Sequence, residues 1–386
     1  MVAKESHQGN SEDSRMTEKT RVAVLYGGRS GEHEVSLRSA ASVVRHLDRT
    51  RFEVIPVSID KAGRWQRHDL RRIEQTGDES LSIPPESPEV RLAQGANGRA
   101  AVVGLDEAKE RTEIDVVFPV LHGPLCEDGT LQGLLELTET AYVGSGVMAS
   151  AVGMDKDVTK RLATLAGIPI APYRAFTRRA YERGAVPLDE IAATLTLPVF
   201  VKPCNMGSSV GIHKVKAWAD LPVALADAFR YDVKVLVEQG IDAREIEVAV
   251  LDGDPPFVSV ASELNPQAHH DFYSYAAKYL DPEGASVDLP ADISPEQMDE
   301  VRALALRAFE ALECSGLARV DFFLDRQSGA FSLNEINTLP GFTSISMYPK
   351  MMEASGISYP KLLTRLVDLA LDRHQTRRGL TREFEG

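Results

Sequence analysis

The stretch KPCNMGSSVG, residues 202–211, follows an apolar run with a lysine, a glycine and two serines. Apolar, β-branched segments flank it at 197–203 and 210–216, which predicts two strands joined in a hairpin and not a strand that turns into a helix. In the familiar phosphate-binding P-loop the lysine follows the last glycine, whereas here it precedes the turn. The P-loop fold is therefore not predicted, and the chemistry of the turn needs another explanation.

The residue types in this turn suit an anion. Gly207, Ser208 and Ser209 could lie over a triphosphate and donate backbone N–H and hydroxyl hydrogen bonds to it. Glycine permits a ligand to approach the backbone closely, and Lys202 would add a positive charge at the end of the strand. The same pattern also occurs in hairpins that bind nothing, so both interpretations stay open at this point.

A second hairpin is predicted over residues 318–337, where two apolar strands carry a few acidic and amide side chains. Glu335 and Asn337 are two residues apart on one strand and therefore share a face. With the turn centred on residue 327, Asp321 lies diagonally across from Glu335, about 7–8 Å away. Two carboxylates and an amide oxygen suit a hard divalent cation such as Mg²⁺. A solvated surface is the alternative.

The amino-terminal part of the chain has the pattern of a parallel βαβ unit. VAVLY (22–26) and FEVIPVSID (52–60) are typical of buried strands, and a helical repeat of apolar residues runs between them over 35–47. A strand, a glycine-rich turn, a helix and a strand in this order predict a parallel sheet. We place a first domain at 17–146, with an insertion of variable structure at 66–112.

Two further domains of mixed helices and strands are predicted. The first hairpin belongs to a small α+β domain at 147–238, and the second hairpin belongs to a larger one at 239–376. A long polar and aromatic stretch at 264–290 is typical of a lid or a binding loop. Tails at 1–16 and 377–386 complete the chain, and the first is polar enough to be disordered.

The composition limits the classes of partner. Lys and Arg number 43 against 57 Asp and Glu, a net charge of −14, so no basic surplus is left for nucleic acid. The 3 cysteines are too few and too widely spaced for a disulfide framework or a zinc pattern. No apolar run approaches the ~18 residues of a membrane span, and the first twenty residues lack a secretory signal. We therefore expect no membrane insertion and a cytoplasmic location.

The most distinctive segments, in chain order, are YGGRSGEHEVSLRSA (26–40), FPVLHGPLCEDGTLQG (118–133), YVGSGVMASAVGMDK (142–156), VKPCNMGSSVGI (201–212), FYSYAAKY (272–279), GLARVDFFLD (316–325) and NEINTLPGFTSISMYP (334–349). Together they resemble the D-alanine–D-alanine ligases of bacterial cell-wall synthesis, which belong to the ATP-grasp superfamily. The resemblance implies an α/β plus α+β fold of three domains. The first would contain a Rossmann-like parallel sheet and bind the first D-alanine, and ATP would lie between the other two.

For ATP and metal ions, the resemblance implies a set of charged and glycine-rich positions. Glu238 would lie beside the adenine, Glu245 would bind the ribose, and Lys278 would face the transferred phosphoryl group. The implied ATP-binding residues are Lys156, Lys202, Gly207, Ser208, Ser209, Glu238, Glu245 and Lys278. Two Mg²⁺ or Mn²⁺ ions would be held by Asp321, Glu335 and Asn337.

The resemblance also implies two D-alanine sites. Glu32 would receive the ammonium group of the first D-alanine, with His122 nearby, and Ser346 would contact the carboxylate of the second. Arg319 would also bind substrate. Glu32 equally fits a helix start, where the dipole favours acids, and His122 equally fits a buried core histidine. The implied catalytic residues are Glu32, Ser208, Lys278, Tyr279, Arg319 and the backbone N–H of Gly341, with Ser208 and Tyr279 joined to Glu32 in a network that closes the lid.

The implied reaction forms an acyl phosphate from ATP and one D-alanine, which the amine of a second D-alanine then attacks. One alternative is a D-alanine–D-lactate ligase, which would differ chiefly in the lid, where Lys278 and Tyr279 resemble the dipeptide-forming branch. Another is a catalytically silent nucleotide-binding protein, which the complete acidic set of the second hairpin disfavours. Relatives of this kind are usually homodimers through the first domain, and we expect a homodimer here.

Overall fold

A computed structural model describes residues 18–71, 80–84, 87–94, 100–105, 111–186, 188–266 and 285–381. The predicted tail at 1–16 and most of the predicted lid lie outside these ranges. The strands are β1 (Thr20–Gly27), β2 (Phe52–Ile59), β3 (Trp65–Arg67), β4 (Val90–Gln94), β5 (Ala100–Gly104), β6 (Arg111–Ile114), β7 (Val116–Val120), β8 (Ala141–Tyr142), β9 (Tyr173–Thr177), β10 (Val199–Pro203), β11 (His213–Val215), β12 (Lys234–Gln239), β13 (Ala243–Leu251), β14 (Phe257–Pro266), β15 (Ala285–Asp288), β16 (Leu317–Asp325) and β17 (Phe331–Asn337). The α-helices are α1 (His33–His46), α2 (Thr130–Leu137), α3 (Val147–Met154), α4 (Lys156–Leu165), α5 (Arg178–Glu182), α6 (Leu188–Thr194), α7 (Leu221–Ala228), α8 (Pro295–Ala311), α9 (Met347–Ala354) and α10 (Tyr359–Arg378).

The first sheet confirms the predicted parallel βαβ unit. Its order is β3-β2-β1-β7-β8, and β1 runs parallel to both β2 and β7. Gly27 ends β1 with φ of 92°, and a Cβ there would lie 2.3 Å from the carbonyl oxygen of Ile59, so only glycine fits this turn. Because parallel strands end at the same edge of a sheet, the turns after β1 and β7 meet. Glu32 and His122 follow these two strands.

The insertion predicted at 66–112 contains regular structure. β4, β5 and β6 form an antiparallel sheet in that order, while β3 pairs with the edge of the first sheet. Val90, Ala100 and Val102 are buried in one hydrophobic cluster with Leu25 of the first sheet. The described part of the insertion is therefore a small sheet that packs on the amino-terminal domain.

The central sheet, in the order β11-β10-β12-β9, is antiparallel throughout. It contains the first predicted hairpin, but β11 begins at His213 and not at Val210. Ser208 and Ser209 have φ of 52° and 58°, a left-handed conformation that cannot continue a strand. Gly211 also has a positive φ, 71°, so the connection spans 204–212 and is longer than the 204–209 expected from sequence.

The carboxyl-terminal sheet has the order β15-β14-β13-β16-β17 and is also antiparallel. The register predicted for its last hairpin is wrong. Asp321 pairs directly with Glu335, while Phe322 pairs with Leu333. Asn334 is therefore an extra residue on β17, a β-bulge that shifts the pairing by one position. The bulge places the two carboxylates directly opposite each other.

The last two helices connect the two ends of the chain through a shared core. Tyr348 of α9 and Leu362 of α10 are buried in one hydrophobic cluster with Val24 and Phe118 of the first sheet and Leu251 of β13. The first and the carboxyl-terminal sheets thus share their apolar packing. Within the described ranges, no helix combines the length and the apolar character needed to cross a bilayer.

Candidate active site

A cavity of about 1350 Å³ is lined by residues of all three predicted domains. It brings together the residues predicted from sequence, apart from Lys278 and Tyr279, which lie outside the described residues. The predicted residues that line it are Glu32, His122, Lys156, Lys202, Gly207, Ser208, Ser209, Glu238, Glu245, Arg319, Asp321, Glu335, Asn337, Gly341 and Ser346.

The turn between β10 and β11 reaches across the cavity to the amino-terminal domain. The hydroxyl of Ser208 donates a short hydrogen bond to Glu32 Oε1. Glu32 lies at the start of α1, but its side chain does not cap the helix. The Cβ position of Gly207 is 3.4 Å from Glu32 Oε2, so this glycine also lies beside the carboxylate. The side chain of Glu32 therefore hydrogen-bonds to the turn between β10 and β11 and not to the first turn of α1.

His122, at the end of β7, is 5% exposed and close to two acids. Its Nδ1 lies 3.2 Å from the carbonyl oxygen of Leu339 and 3.8 Å from Glu127 Oε1. Glu127 Oε2 also accepts a hydrogen bond of 3.0 Å from the backbone N–H of Gly123. Burial lowers the pKa of His122, but Glu127 and Glu32 outweigh it, so the net pKa is raised. The histidine thus lies in a negatively charged corner of the cavity.

Lys156 is the first residue of α4 and points at the turn between β10 and β11. Asp155 caps this helix by accepting hydrogen bonds from the backbone N–H groups of Asp157 and Val158, which fixes where the helix begins. Lys156 Nζ donates a 2.7 Å hydrogen bond to the carbonyl oxygen of Met206 and lies 3.5 Å from a carboxylate oxygen of β17. Its charge is therefore placed between the turn and the acidic hairpin.

Lys202 and Glu238 lie on the neighbouring strands β10 and β12 and form a buried ion pair. Lys202 Nζ is 2.5 Å from Glu238 Oε2, and Lys160 Nζ contacts Glu238 Oε1. Burial would raise the pKa of Glu238, but the two lysines outweigh it and lower the pKa from 4.5 to about 2. The carboxylate predicted to lie beside the adenine is thus an ionised group held by two cations.

The acidic hairpin presents its polar side chains on one face. Arg319 Nε donates to Asp321 Oδ1 at 2.8 Å, and Nη2 donates to Oδ2 at 2.7 Å. Asn337 Nδ2 donates to the same Oδ2 at 2.9 Å. Burial opposes the charge of Arg319, yet Asp321 and Glu247 raise its pKa well above the usual value. The guanidinium is therefore a permanent cation beside the predicted metal ligands.

Strand β13 adds two acids to this face. Glu245, the predicted ribose ligand, pairs with Phe323 and lines the cavity. Glu247 pairs in register with Asp321, and its Oε1 lies 3.4 Å from Arg319 Nε. Three carboxylates therefore lie in a row across β13, β16 and β17.

The donor set fits a divalent cation. Carboxylate and amide oxygens are the ligands that Mg²⁺ and Mn²⁺ take, and Asp321, Glu335 and Asn337 present them on adjacent strands. Within the described ranges, no cluster of three or more His, Cys, Asp or Glu side chains is arranged to hold a metal ion. The amide of Asn337, water and phosphate oxygens would therefore have to complete any shell.

The segment after β17 folds back over the cavity near Gly341. A Cβ at Gly341 would lie 2.7 Å from Ser346 Oγ, so a larger residue there would force the serine hydroxyl to move. Ser346 Oγ accepts a 3.0 Å hydrogen bond from the backbone N–H of Thr343. The two residues predicted for the oxyanion and the second substrate are thus in contact.

Sequence reasoning did not single out Glu127, Lys160 and Glu247. Glu247 lies two residues after Glu245 on one strand and shares its face. Lys160 lies four residues after Lys156 on one face of α4. These two periodicities could have pointed to them. Glu127 lies in a loop, where no spacing rule places a side chain.

Models of two protein families match the chain. The model described as D-ala D-ala ligase N-terminus matches residues 21–145, and the one described as D-ala D-ala ligase C-terminus matches residues 162–368. The first range contains Glu32 and His122. The second contains both hairpins that line the cavity. The two ranges together span most of the described fold.

Individual proteins agree with the family models. The D-alanine--D-alanine ligase A of Bradyrhizobium diazoefficiens is 69% identical over 371 residues, which cover 96% of this chain and 100% of that protein. The solved D-alanine-D-alanine ligase from Coxiella burnetii has a TM-score of 0.77 at 36% identity, covering 94% of this chain and 96% of that one. The VanG D-Ala:D-Ser ligase from Enterococcus faecalis has a TM-score of 0.78 at 35% identity, with 92% and 100% covered. The chain belongs to the D-alanine–D-alanine ligase family.

Proposed function

We propose that this cavity joins two D-alanine molecules in an ATP-dependent reaction that passes through an acyl phosphate. The observation that carries the proposal is the hydrogen bond from Ser208 to Glu32, which closes a phosphate-binding turn over the corner predicted for the first amino acid. The acidic hairpin lines the same cavity. A nucleotide site and an amino-acid site are therefore adjacent, as a phosphoryl transfer between them requires.

In the first step, the carboxylate of one D-alanine attacks the γ-phosphorus of ATP, and ADP leaves. Glu32 would hold the ammonium group of that D-alanine, while Ser208 and the turn backbone cover the phosphates. Lys156 and Lys202 would offset the charge that accumulates when a carboxylate meets a triphosphate. Both lysines line the cavity beside the residues of the turn, which supports this assignment. Lys278 is assigned to the transferred phosphoryl group by resemblance alone.

Asp321, Glu335 and Asn337 would hold the divalent cations. When bound, such ions neutralise phosphate charge and orient the transferred group. Around them, this chain's own residues keep the geometry: Arg319 fixes Asp321 through two hydrogen bonds, and Lys156 lies beside Glu335. The acidic row, which consists of Glu247, Asp321 and Glu335, is thereby positioned by one arginine and one lysine.

In the second step, the amine of another D-alanine attacks the acyl carbon, and inorganic phosphate leaves. Arg319 and the backbone N–H of Gly341 would stabilise the tetrahedral oxyanion, a contribution worth roughly 10²–10³ in rate for one such donor. Ser346 would bind the carboxylate of the incoming amino acid. Its contact with Gly341 supports this, because both groups would then face the same substrate.

The identity of the second substrate is the point to test. The VanG protein, a D-Ala:D-Ser ligase, has a similar fold, and D-lactate is the other candidate. We expect D-alanyl-D-alanine as the main product when D-alanine competes with equal D-serine and D-lactate near pH 7, measured by mass spectrometry. A product mixture dominated by D-alanyl-D-serine or by depsipeptide would overturn the assignment.

A simpler assay distinguishes the proposed ligase activity from that of a catalytically silent nucleotide-binding protein. The chain should release ADP from MgATP only when D-alanine is present at millimolar concentration. Binding of ATP without any D-alanine-dependent ADP release would support the silent alternative.

We also propose that the chain acts in the cytoplasm as a homodimer. The exposed apolar side chains of α2, in the first domain, and of the neighbouring α3 support a partner surface at the edge of that domain, since exposed apolar patches mark interaction sites. They are Leu134, Leu137, Val147 and Met148. Light scattering should give a dimer mass, and Leu137→Glu should give a monomer. A monomeric wild-type chain at micromolar concentration would contradict the proposal.

A further inference from the structure

Three charged side chains form a buried cluster beside the cavity. Lys160, Lys202 and Glu238 are only 1%, 7% and 1% exposed. Both Lys202 and Glu238 line the cavity, whereas Lys160 is not among the described residues that do. The cluster therefore has one cation that faces the nucleotide site and one that does not.

Lys160 is fixed by its surroundings. Its ammonium contacts Glu238 Oε1, lies 3.4 Å from the carbonyl oxygen of Leu333 and is 5.9 Å from the ring centroid of Tyr173. Burial lowers the pKa of Lys160, and Glu238 opposes that shift. Lys156, one helical turn earlier on α4, instead reaches the cavity. The helix thus carries one lysine toward the ligand and one behind it.

Two anionic groups compete for the ammonium group of Lys202, namely the carboxylate of Glu238 and, under the proposed function, the phosphates of ATP. Lys202 is bound to Glu238 at 2.5 Å, and under the proposed function it has to approach the phosphates of ATP. A buried carboxylate that loses its only cation is left uncompensated, which is strongly unfavourable. This penalty would keep Lys202 bound to Glu238. A second cation on the same carboxylate removes the penalty, because Glu238 then stays paired when Lys202 leaves.

We infer that Lys160 is a positioning residue for ATP binding: it keeps Glu238 neutralised, so that Lys202 can move from Glu238 to the phosphates. The inference rests on the proposed function, because it takes ATP to be the ligand of Lys202. Each carboxylate oxygen of Glu238 binds a different lysine. Oε1 stays with Lys160, and Oε2 releases Lys202 when nucleotide arrives.

Calorimetric titration of the full chain with MgATP tests the inference. Lys160→Met removes the second cation while keeping an unbranched side chain, and we expect the dissociation constant to rise about 10-fold or more, the value of one charged hydrogen bond. Adding Glu238→Gln should reverse this loss, because a neutral amide no longer retains Lys202. The double variant should bind ATP within about threefold of Glu238→Gln alone, because the two residues act through one interaction and their effects are therefore not additive.

A stability control separates this role from a merely structural one. Leu225→Ala removes methyl groups from the core of the same domain and should lower the melting temperature without changing ATP affinity. Unchanged affinity in Lys160→Met, or a double variant as weak as Lys160→Met, would overturn the inference while leaving the proposed function intact. A wild-type chain that bound no MgATP would overturn both.

Discussion

The hydroxyl of Ser208 donates a hydrogen bond to the carboxylate of Glu32, two residues that are 176 positions apart in the chain. Ser208 lies on the turn of the central sheet and Glu32 at the first helix of the parallel sheet. The bond therefore ties the turn of the central sheet to the corner proposed for the first D-alanine. Under the proposed function, it would make closure of the turn and binding of the first substrate parts of one event.

Removing this bond should weaken both events. For Ser208→Ala we expect kcat/KM for D-alanine to fall roughly 10- to 100-fold, because a hydrogen bond to a charged group is lost. The measurement is ADP release against D-alanine concentration. Ser80→Ala, at a serine outside the cavity lining, serves as the control and should behave as wild type. Equal kinetics for the two variants would contradict the closure role.

The acidic row should be essential for turnover and dispensable for folding. Glu335→Ala removes one of the proposed metal ligands, so we expect kcat to fall roughly 10²-fold or more. Binding of Mn²⁺ in the presence of ATP, followed by electron paramagnetic resonance, should weaken in parallel. Glu353→Ala, an exposed acid on α9, is the matched control. Near-normal turnover or Mn²⁺ binding in Glu335→Ala would show that the metal assignment is wrong.

Stability should depend on pH through the pair of His122 and Glu127. Burial raises the pKa of Glu127, and Glu127 in turn helps raise the pKa of His122. Both groups hold protons more tightly in the folded chain, so their contribution is complete below the unfolded pKa values and is lost as pH rises through the folded ones. The wild-type melting temperature should therefore fall between pH 5.5 and 8.5 by more than that of Glu127→Gln. An equal fall in both proteins would mean that the pair does not titrate in this way.

Space at residue 341 should control the second amino acid. In Gly341→Ala the new methyl group would lie 2.7 Å from Ser346 Oγ, so the hydroxyl has to move. We expect a rise of about tenfold in KM for the second D-alanine, since one polar contact is displaced. Gly133→Ala is the matched control, because nothing lies within 4 Å of its Cβ position. Unaltered kinetics in Gly341→Ala would place Ser346 away from the substrate.

Much of the fold could be predicted because its signals are local. Apolar runs with β-branched residues marked β1, β2 and both hairpins, and the helical repeat after the glycine-rich turn marked α1. Residues two apart on a strand must share a face, so Glu335 and Asn337 were correctly placed together. The register of the second hairpin was wrong for two reasons. The turn is centred between residues 327 and 328, as the pairing of Phe323 with Ser332 shows, and the bulge at Asn334 has no periodic signature. The start of β11 was misplaced because Gly211, inside the predicted strand, has φ of 71°, a conformation that a strand does not take.

The sequence by itself determined which segments become strands and helices, and which side chains could carry the chemistry, since both depend on neighbours within a few positions. Only the tertiary structure decided which of these side chains come into contact. It joins Ser208 to Glu32 by a hydrogen bond. It also pairs Glu238 with two lysines and Glu247 with Arg319. Such contacts join residues that are distant in the chain, and their geometry depends on how three sheets pack around one cavity, which no local pattern encodes.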